Sequence, residues 1–310
     1  MPTGETDDQR QRAHAFTISI TPFDTEGRLD EKALRRHLRR LGASGIGVYV
    51  GGGGSGEGYS LSRDEARRLL DIAVEELKGR TAIRAMGVEP RTAGEMIAFL
   101  EMAKAAGVDA AQVYSLDVGH GNAPTPAELE AYFSEVLGAV DMKLVLSTHQ
   151  SVGYVIPAEL IADLYHRFPQ LIALNCSHAD RNYLRSLIDR LGAATDIFVG
   201  GPQDALTALA FGAQGFLSSE GNLAPRLCMS VIDAYRNDDL TALLASWGKL
   251  MRLSAGLYGN GGIRVTKAVL NRLGLAGGYP RKPRLPAEDD RLARAMAVVE
   301  ALDLAELEGW

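Results

Sequence analysis

A regular alternation of short apolar runs with longer amphipathic segments constrains the fold of this chain more than any other feature. Eight runs of four to six residues are apolar enough to form buried strands. They are Phe16–Thr21, Ile46–Val50, Ala82–Met86, Ala110–Tyr114, Leu144–Ser147, Leu171–Asn175, Ile197–Gly200 and Gly215–Ser218. Strands that alternate with helices predict a parallel sheet covered by helices. Eight such units also match the number that closes a barrel.

The segments between these runs have helical spacing of apolar residues and recognisable helix ends. Ser62 and Glu65 have the spacing of a capping box. Gly45, Gly107 and Gly212 each stand where a helix should end before the next strand, a position that favours glycine. The predicted helices are Asp30–Leu41, Ser62–Leu77, Thr92–Ala106, Ala127–Val140, Pro157–Phe168, Arg181–Leu191, Gln203–Phe211 and Pro225–Arg236. The sequence therefore predicts an α/β fold, the (β/α)8 TIM barrel.

After Arg236 the strand pattern stops and three further helices are predicted. They span Asp239–Leu257, Ile263–Leu273 and Ala287–Leu307, with a loop rich in glycine and proline at Gly274–Pro286. We expect an N-terminal tail at 1–14, a barrel at 15–236 and a C-terminal helical segment at 237–310. The helical segment would provide a surface for a homo-oligomer, either a dimer or a tetramer.

Composition excludes several classes of protein. The formal net charge is −6 without a basic block, which argues against a nucleic-acid partner. The two cysteines, Cys176 and Cys228, are too few for a disulfide framework and favour a reducing, cytoplasmic setting. The polar, acidic opening at 1–8 does not fit a signal peptide, and no apolar run approaches the roughly 20 residues that cross a membrane.

Functional groups of a parallel barrel gather where its strands end. A glycine tract, 51–58, follows the second strand and could cradle an anion with its backbone N–H groups. His120, His149 and His178 follow strands four, five and six, and histidine is suited to proton transfer near neutral pH. With Asp117 they could instead bind a divalent metal, although no His-x-His pair occurs.

Lysine is absent from the strand ends. The chain has seven lysines, and none is predicted at the carboxyl end of a strand. They are Lys32, Lys78, Lys104, Lys143, Lys249, Lys267 and Lys282. Because a lysine that forms a Schiff base must be desolvated and close to the substrate carbonyl, the barrel offers no obvious candidate.

The ordered motifs resemble the dihydrodipicolinate synthase and N-acetylneuraminate lyase family. The resemblance covers about Ile18 to Leu285 and rests on several separated segments. These are Thr21-Pro22-Phe23, Gly53-Gly54-Ser55-Gly56-Glu57, Leu61-Ser62-Arg63-Asp64-Glu65, Gly212-Ala213-Gln214-Gly215, Asn222-Leu223-Ala224-Pro225, Lys267 and Arg281-Lys282-Pro283-Arg284-Leu285. The resemblance implies a TIM barrel with C-terminal helices, usually a homotetramer, that acts on 2-oxo acids such as pyruvate.

The departures from the family pattern fall on its catalytic positions. Asn175 stands where the family has its Schiff-base lysine. The strand-five motif with the proton-relaying tyrosine is replaced by Ser147-Thr148-His149-Gln150, and the motif after strand four by 114–121. The two threonines after strand two are replaced by Gly54 and Ser55. Because the scaffold motifs persist while these change, a rebuilt site is favoured over a lost one.

We therefore expect a lyase, an aldolase or hydro-lyase, that uses acid–base chemistry on a small 2-oxo or hydroxy acid without a lysine Schiff base. His149 and His178 would be the acid and base, and Asn175 would donate a hydrogen bond to a developing oxyanion. The expected substrate-binding residues are Gly54, Ser55, Ser147, Asp117, His120 and Ser219. No cofactor is expected. The alternatives are a metal-dependent lyase or hydrolase, a non-catalytic carboxylate-binding protein, and a Schiff base on a displaced lysine.

Overall fold

The computed structural model describes residues 10–310, and within them eight parallel strands form one closed barrel in chain order. The strands are β1 His14–Ile18, β2 Gly47–Val50, β3 Ile83–Ala85, β4 Ala110–Val113, β5 Leu144–His149, β6 Leu171–Ser177, β7 Asp196–Gly200 and β8 Gly215–Ser218. β2, β3, β4 and β8 are buried along their whole length, as expected for strands covered by helices. The predicted TIM-barrel fold is confirmed.

A helix follows each strand, and further helices complete the described chain. The eight barrel helices are α1 Glu31–Ser44, α2 Arg63–Leu77, α3 Ala93–Ala106, α4 Pro126–Ala139, α5 Ala158–Arg167, α6 Arg181–Leu191, α7 Ala205–Phe211 and α8 Pro225–Arg236. The C-terminal helices are α9 Leu240–Tyr258, α10 Ile263–Arg272, α11 Asp289–Leu302 and α12 Ala305–Glu308. The third predicted tail helix is divided into α11 and α12, because Asp303 has a positive φ of 48°.

The predicted helix ends are present. Ser62 and Glu65 form the capping box at the start of α2. Gly45, Gly107 and Gly212 end α1, α3 and α7 in the left-handed conformation, with φ of 77°, 83° and 98°. Since a side chain makes this conformation costly, glycine at these three joints turns the chain from helix to strand.

β5 and β6 extend farther than their apolar runs predict. Their backbones pair in parallel through Ser147–Asn175, Thr148–Cys176 and His149–Ser177. The predicted strands stopped at Ser147 and Asn175, because the residues beyond them are polar. Backbone pairing outweighs that polarity, and it places Thr148 and His149 within β5 instead of in a loop.

The described chain divides into two compact units. One comprises His14–Ile83 and Leu217–Trp310, in which α9 packs against α8 and α11. The other comprises Arg84–Phe216 with the described residues 10–13. The boundaries predicted at 14/15 and 236/237 remain predictions. Residues 1–9, which hold most of the predicted tail and the segment expected not to be a signal peptide, lie outside the described residues. No described helix is long and apolar enough to span a membrane.

Candidate active site

His149 is held by two polar partners. It is the last residue of β5, and its Nδ1 contacts the hydroxyl group of Ser151. Its Nε2 lies 2.8 Å from Oε1 of Glu89, which follows β3. The contact with His149 lowers the pKa of the Glu89 carboxyl below its usual value, so this carboxylate is ionised at neutral pH. A carboxylate in this position orients an imidazole and stabilises its protonated form.

Glu89 was not among the site residues predicted from the sequence. The segment Gly87-Val88-Glu89 follows β3, and it would have supplied this carboxylate.

His178 follows β6 and has a different environment. Its Nε2 lies 2.9 Å from Oγ1 of Thr148, and its ring meets that of Tyr183 edge to face at 4.8 Å. Burial lowers the pKa of His178 below 6.5, and the positive charge of His149 lowers it further. The two histidines are therefore close enough to influence each other, and His178 is neutral at pH 7.

Asn175 is buried inside the barrel, where the family pattern has lysine. The side chain is 2% exposed, and its Nδ2 donates a hydrogen bond of 2.6 Å to Oε1 of Gln112 on β4. Ser147 is also buried, and its carbonyl accepts a hydrogen bond of 3.4 Å from the hydroxyl group of Ser115. Gln112 was not among the predicted residues, because a single glutamine in a strand carries no recognisable pattern. The oxyanion role of Asn175 and the substrate-binding role of Ser147 remain predictions.

His120 and Asp117 lie on the surface of the loop that follows β4. Both side chains are exposed, and Oδ1 of Asp117 accepts a hydrogen bond of 2.9 Å from the backbone N–H of Gly119. Within residues 10–310, no group of three or more His, Cys, Asp and Glu side chains could hold a metal ion. The alternative metal set of Asp117, His120, His149 and His178 therefore does not form such a group among the described residues.

Ser55 and Ser219 meet in the other compact unit. Their hydroxyl oxygens are 2.6 Å apart, Ser55 is 4% exposed, and Ser219 also influences the pKa of the nearby Tyr258 hydroxyl group from α9. The sequence pattern identified both serines but could not place Tyr258 against them. Three hydroxyl groups from separate parts of the chain therefore form one polar cluster, which we call the hydroxyl cluster.

The glycine tract is compact because its glycines pack backbone against backbone. A Cβ on Gly58 would lie 2.0 Å from the Gly51 carbonyl oxygen, and one on Gly56 would lie 2.8 Å from the Gly52 nitrogen. Gly54 is exposed, and its carbonyl accepts a hydrogen bond of 3.1 Å from the backbone N–H of Glu57. The tract thus forms a tight turn that contains the buried Ser55, and its binding of an anion remains a prediction.

Lys267 is the one lysine that the structure buries among residues 10–310. Its Nζ forms an ion pair with Glu57 and donates hydrogen bonds of 2.8 and 3.0 Å to the carbonyls of Thr21 and Tyr279. An ammonium group has three hydrogens, and each has an acceptor here. The other lysines in the described residues lie on the surface or are partly exposed.

Comparisons with known proteins agree with this architecture. The sequence model of the "Dihydrodipicolinate synthetase family" matches residues 12–302. A 4-hydroxy-tetrahydrodipicolinate synthase of Hyphomonas neptunium is 30% identical over 292 residues, which cover 91% of this chain and 94% of the relative. The enzyme of the same name from Acidiphilium cryptum is 27% identical, with 92% and 96% covered. The structure of dihydrodipicolinate synthase from Thermotoga maritima superposes with a TM-score of 0.86 at 19% identity, covering 94% of this chain and 99% of the other.

Proposed function

This chain belongs to the dihydrodipicolinate synthetase family, a family of aldolase-type lyases, and we propose that it is a lyase that works by acid–base chemistry without a lysine Schiff base. The proposed substrate is a small 2-oxo or hydroxy carboxylic acid. The observation that carries this proposal is the pairing of His149 with Glu89 beside a neutral His178. We also propose a cytoplasmic homo-oligomer, a dimer or tetramer, without a nucleic-acid partner.

The proposed reaction begins with removal of a proton from the carbon next to a carbonyl. His149 is the better base, because the Glu89 carboxylate stabilises the imidazolium ion that forms. Asn175 would donate a hydrogen bond to the developing enolate oxygen. His178, neutral at pH 7, would take up a proton from solvent and deliver it to the enolate carbon during exchange or to the leaving group during cleavage, with Thr148 orienting its ring. General acid–base groups of this kind contribute roughly 10²- to 10⁴-fold to a rate.

Substrate binding is assigned to the residues that offer hydrogen-bond donors. Ser55 and Ser219 would bind a substrate carboxylate through their hydroxyl groups, with backbone N–H groups from the Gly54 turn. The names of the relatives point to 4-hydroxy-tetrahydrodipicolinate synthesis. We do not assign that reaction to this chain, because Asn175 replaces the lysine on which the family mechanism depends.

Two observations support a mechanism without a Schiff base. The position of the family lysine holds an amide that is hydrogen-bonded to Gln112. The buried Lys267 is saturated by Glu57 and two carbonyls, so its nitrogen has no lone pair or free hydrogen to offer a substrate carbonyl.

Proton abstraction can be tested before the full substrate is known. Exchange of the methyl protons of pyruvate in D2O, followed by proton NMR, reports removal of a proton beside a carbonyl. We expect His149→Ala and His178→Ala to slow exchange at least about 100-fold, whereas the exposed His120→Ala should exchange normally. Near-normal exchange in both of the first two variants would overturn the assignment.

The absence of a Schiff base has its own test. Protein incubated with pyruvate and borohydride should gain no mass at any lysine, as measured by intact-protein and peptide mass spectrometry. A reduced adduct on Lys267 or another lysine would refute the proposal, and the corresponding Lys→Met variant would identify the nitrogen concerned.

A further inference from the structure

Glu220 is a buried carboxylate with one unpaired oxygen. It lies two residues after the end of β8 and is 1% exposed. Its Oε2 accepts a hydrogen bond of 2.7 Å from the hydroxyl group of Ser218. Its Oε1 has no hydrogen-bond partner among the described residues, although it too is buried. A buried acceptor without a partner is costly, and proteins rarely retain one without a use for it.

The other buried carboxylates show how this chain normally treats such groups. The described residues contain four buried glutamates and no buried aspartate. In three of them both carboxylate oxygens accept hydrogen bonds. Glu57 accepts from the Lys267 ammonium group and the Arg281 backbone N–H, and Glu76 accepts from the side chains of Arg35 and Arg39. Glu308 accepts from the backbone N–H groups of Arg226 and Leu227. Glu220 is the exception in the described chain, so a general tolerance for unpaired carboxylates does not explain it.

Glu220 also adjoins the hydroxyl cluster. Ser219, the preceding residue, contacts both Ser55 and Tyr258. Although about half of Tyr258 is exposed, desolvation of its hydroxyl group raises its pKa, and the negative charge of Glu220 contributes to that rise. The carboxylate therefore lies beside the Ser55 and Ser219 hydroxyl groups that we assign to substrate binding.

We propose that Glu220 is a substrate-binding residue whose Oε1 accepts a hydrogen bond from a hydroxyl or ammonium group of the substrate. An ionised carboxylate has only acceptors, so its partner must donate. A second carboxylate would be repelled, and a carbonyl oxygen has nothing to donate. The inference rests on the proposed function and narrows its substrate class, because it favours acids that bear a hydroxyl or amino group over simple 2-oxo acids.

Three small acids test this preference on the full-length protein. Propionate offers only the carboxylate, lactate adds a hydroxyl group, and alanine adds an ammonium group. We expect calorimetric titration to show that one enantiomer of lactate or alanine binds about tenfold or more tightly than propionate. Equal affinity for all three would overturn the inference, since it would mean that water alone satisfies Oε1.

Variants of Glu220 test whether this residue causes the tighter binding of lactate or alanine relative to propionate. Glu220→Met removes the acceptor and should reduce the preference to about twofold or less. Glu220→Gln keeps an acceptor oxygen but loses the charge, so it should retain preference for lactate and lose that for alanine. Glu308→Gln, which alters a buried carboxylate that is fully paired, should keep both preferences. A preference that survives in Glu220→Met would refute the role of Glu220.

The same measurements separate this inference from the proposed function. Propionate binding and pyruvate proton exchange would support the proposed lyase. If lactate and alanine then bind no more tightly than propionate, the role of Glu220 alone is refuted. If no acid binds and no exchange occurs, both the proposed lyase function and the role of Glu220 are refuted. If Glu220→Met does not fold, the affinities of the wild-type protein still decide, because a ratio near one overturns the inference alone.

Discussion

Oε1 of Glu89 lies 2.8 Å from Nε2 of His149, and this contact joins the ends of β3 and β5. His149 lowers the pKa of Glu89 below 4.5, so the carboxylate stays ionised as the pH falls and loses its charge only as the pH passes through that lowered pKa. The imidazole therefore has a negatively charged partner throughout the neutral range.

Replacing the Glu89 carboxylate should make His149 a weaker base but leave its imidazole in place. We expect Glu89→Gln to slow pyruvate proton exchange by roughly 10- to 100-fold, because the amide no longer stabilises the imidazolium ion. Exchange measured by NMR from pH 5 to 9 is the readout. Glu101→Gln changes an exposed glutamate of α3 and serves as the control. Equal rates in Glu89→Gln and Glu101→Gln would contradict the role of Glu89.

The environment of His178 predicts the acid side of the pH profile. Burial lowers the pKa of His178 from 6.5, so the ring remains neutral below pH 6.5 and gains its proton only in more acidic solution. We expect a step in the exchange rate below pH 6.5 that disappears in His178→Gln and persists in His120→Gln. A step that is the same in all three proteins would show that another group titrates.

The fold was predictable because each strand and helix carries its own signal. The bounds of β8, α6 and α8 agree with the sequence pattern residue for residue. The extension of β5 to His149 could not be predicted from the sequence, because the polar pair Thr148-His149 is typical of a loop. It is strand only because its backbone pairs with β6.

The site was predictable only where a strand end carries an unusual residue. His149 and His178 were found in this way, while Glu89 follows a strand whose end was not considered. Tyr258 and the unpaired oxygen of Glu220 could not be found from sequence, because both depend on side-chain packing between distant segments.

Because His37 is buried, we expect the folded protein to lose stability in acid, independently of catalysis. His37 lies on α1, is 1% exposed, and its Nε2 is 2.9 Å from Oδ1 of Asn222. Burial lowers the pKa of His37 to about 3. The unfolded chain binds a proton near pH 6.5 while the folded protein does not. Its contribution to stability is therefore complete above about pH 6.5 and is lost as the pH falls toward 3.

Denaturant unfolding at several pH values measures this effect. The free energy of unfolding should fall by up to about 1.4 kcal/mol per pH unit below pH 6.5 through His37 alone. His37→Gln should show a shallower fall between pH 6 and 4, and the exposed His166→Gln should follow the wild-type protein. Identical slopes in His37→Gln and the wild-type protein would mean that His37 is protonated in the folded state.

For the buried Lys267–Glu57 ion pair we expect a different pattern. Replacing both residues should lower the free energy of unfolding less than replacing Lys267 alone. Both side chains are 1% exposed, so removing one partner leaves the other charge buried without compensation. We expect Lys267→Met to lower the free energy of unfolding by about 3–5 kcal/mol. Lys267→Met combined with Glu57→Gln should recover about 1 kcal/mol or more, since no buried charge remains. Guanidinium unfolding gives these values, with the exposed Lys104→Met as the control. A double variant that is less stable than Lys267→Met would show that Glu57 stabilises the fold through Arg281, whose backbone N–H it also accepts, more than through Lys267.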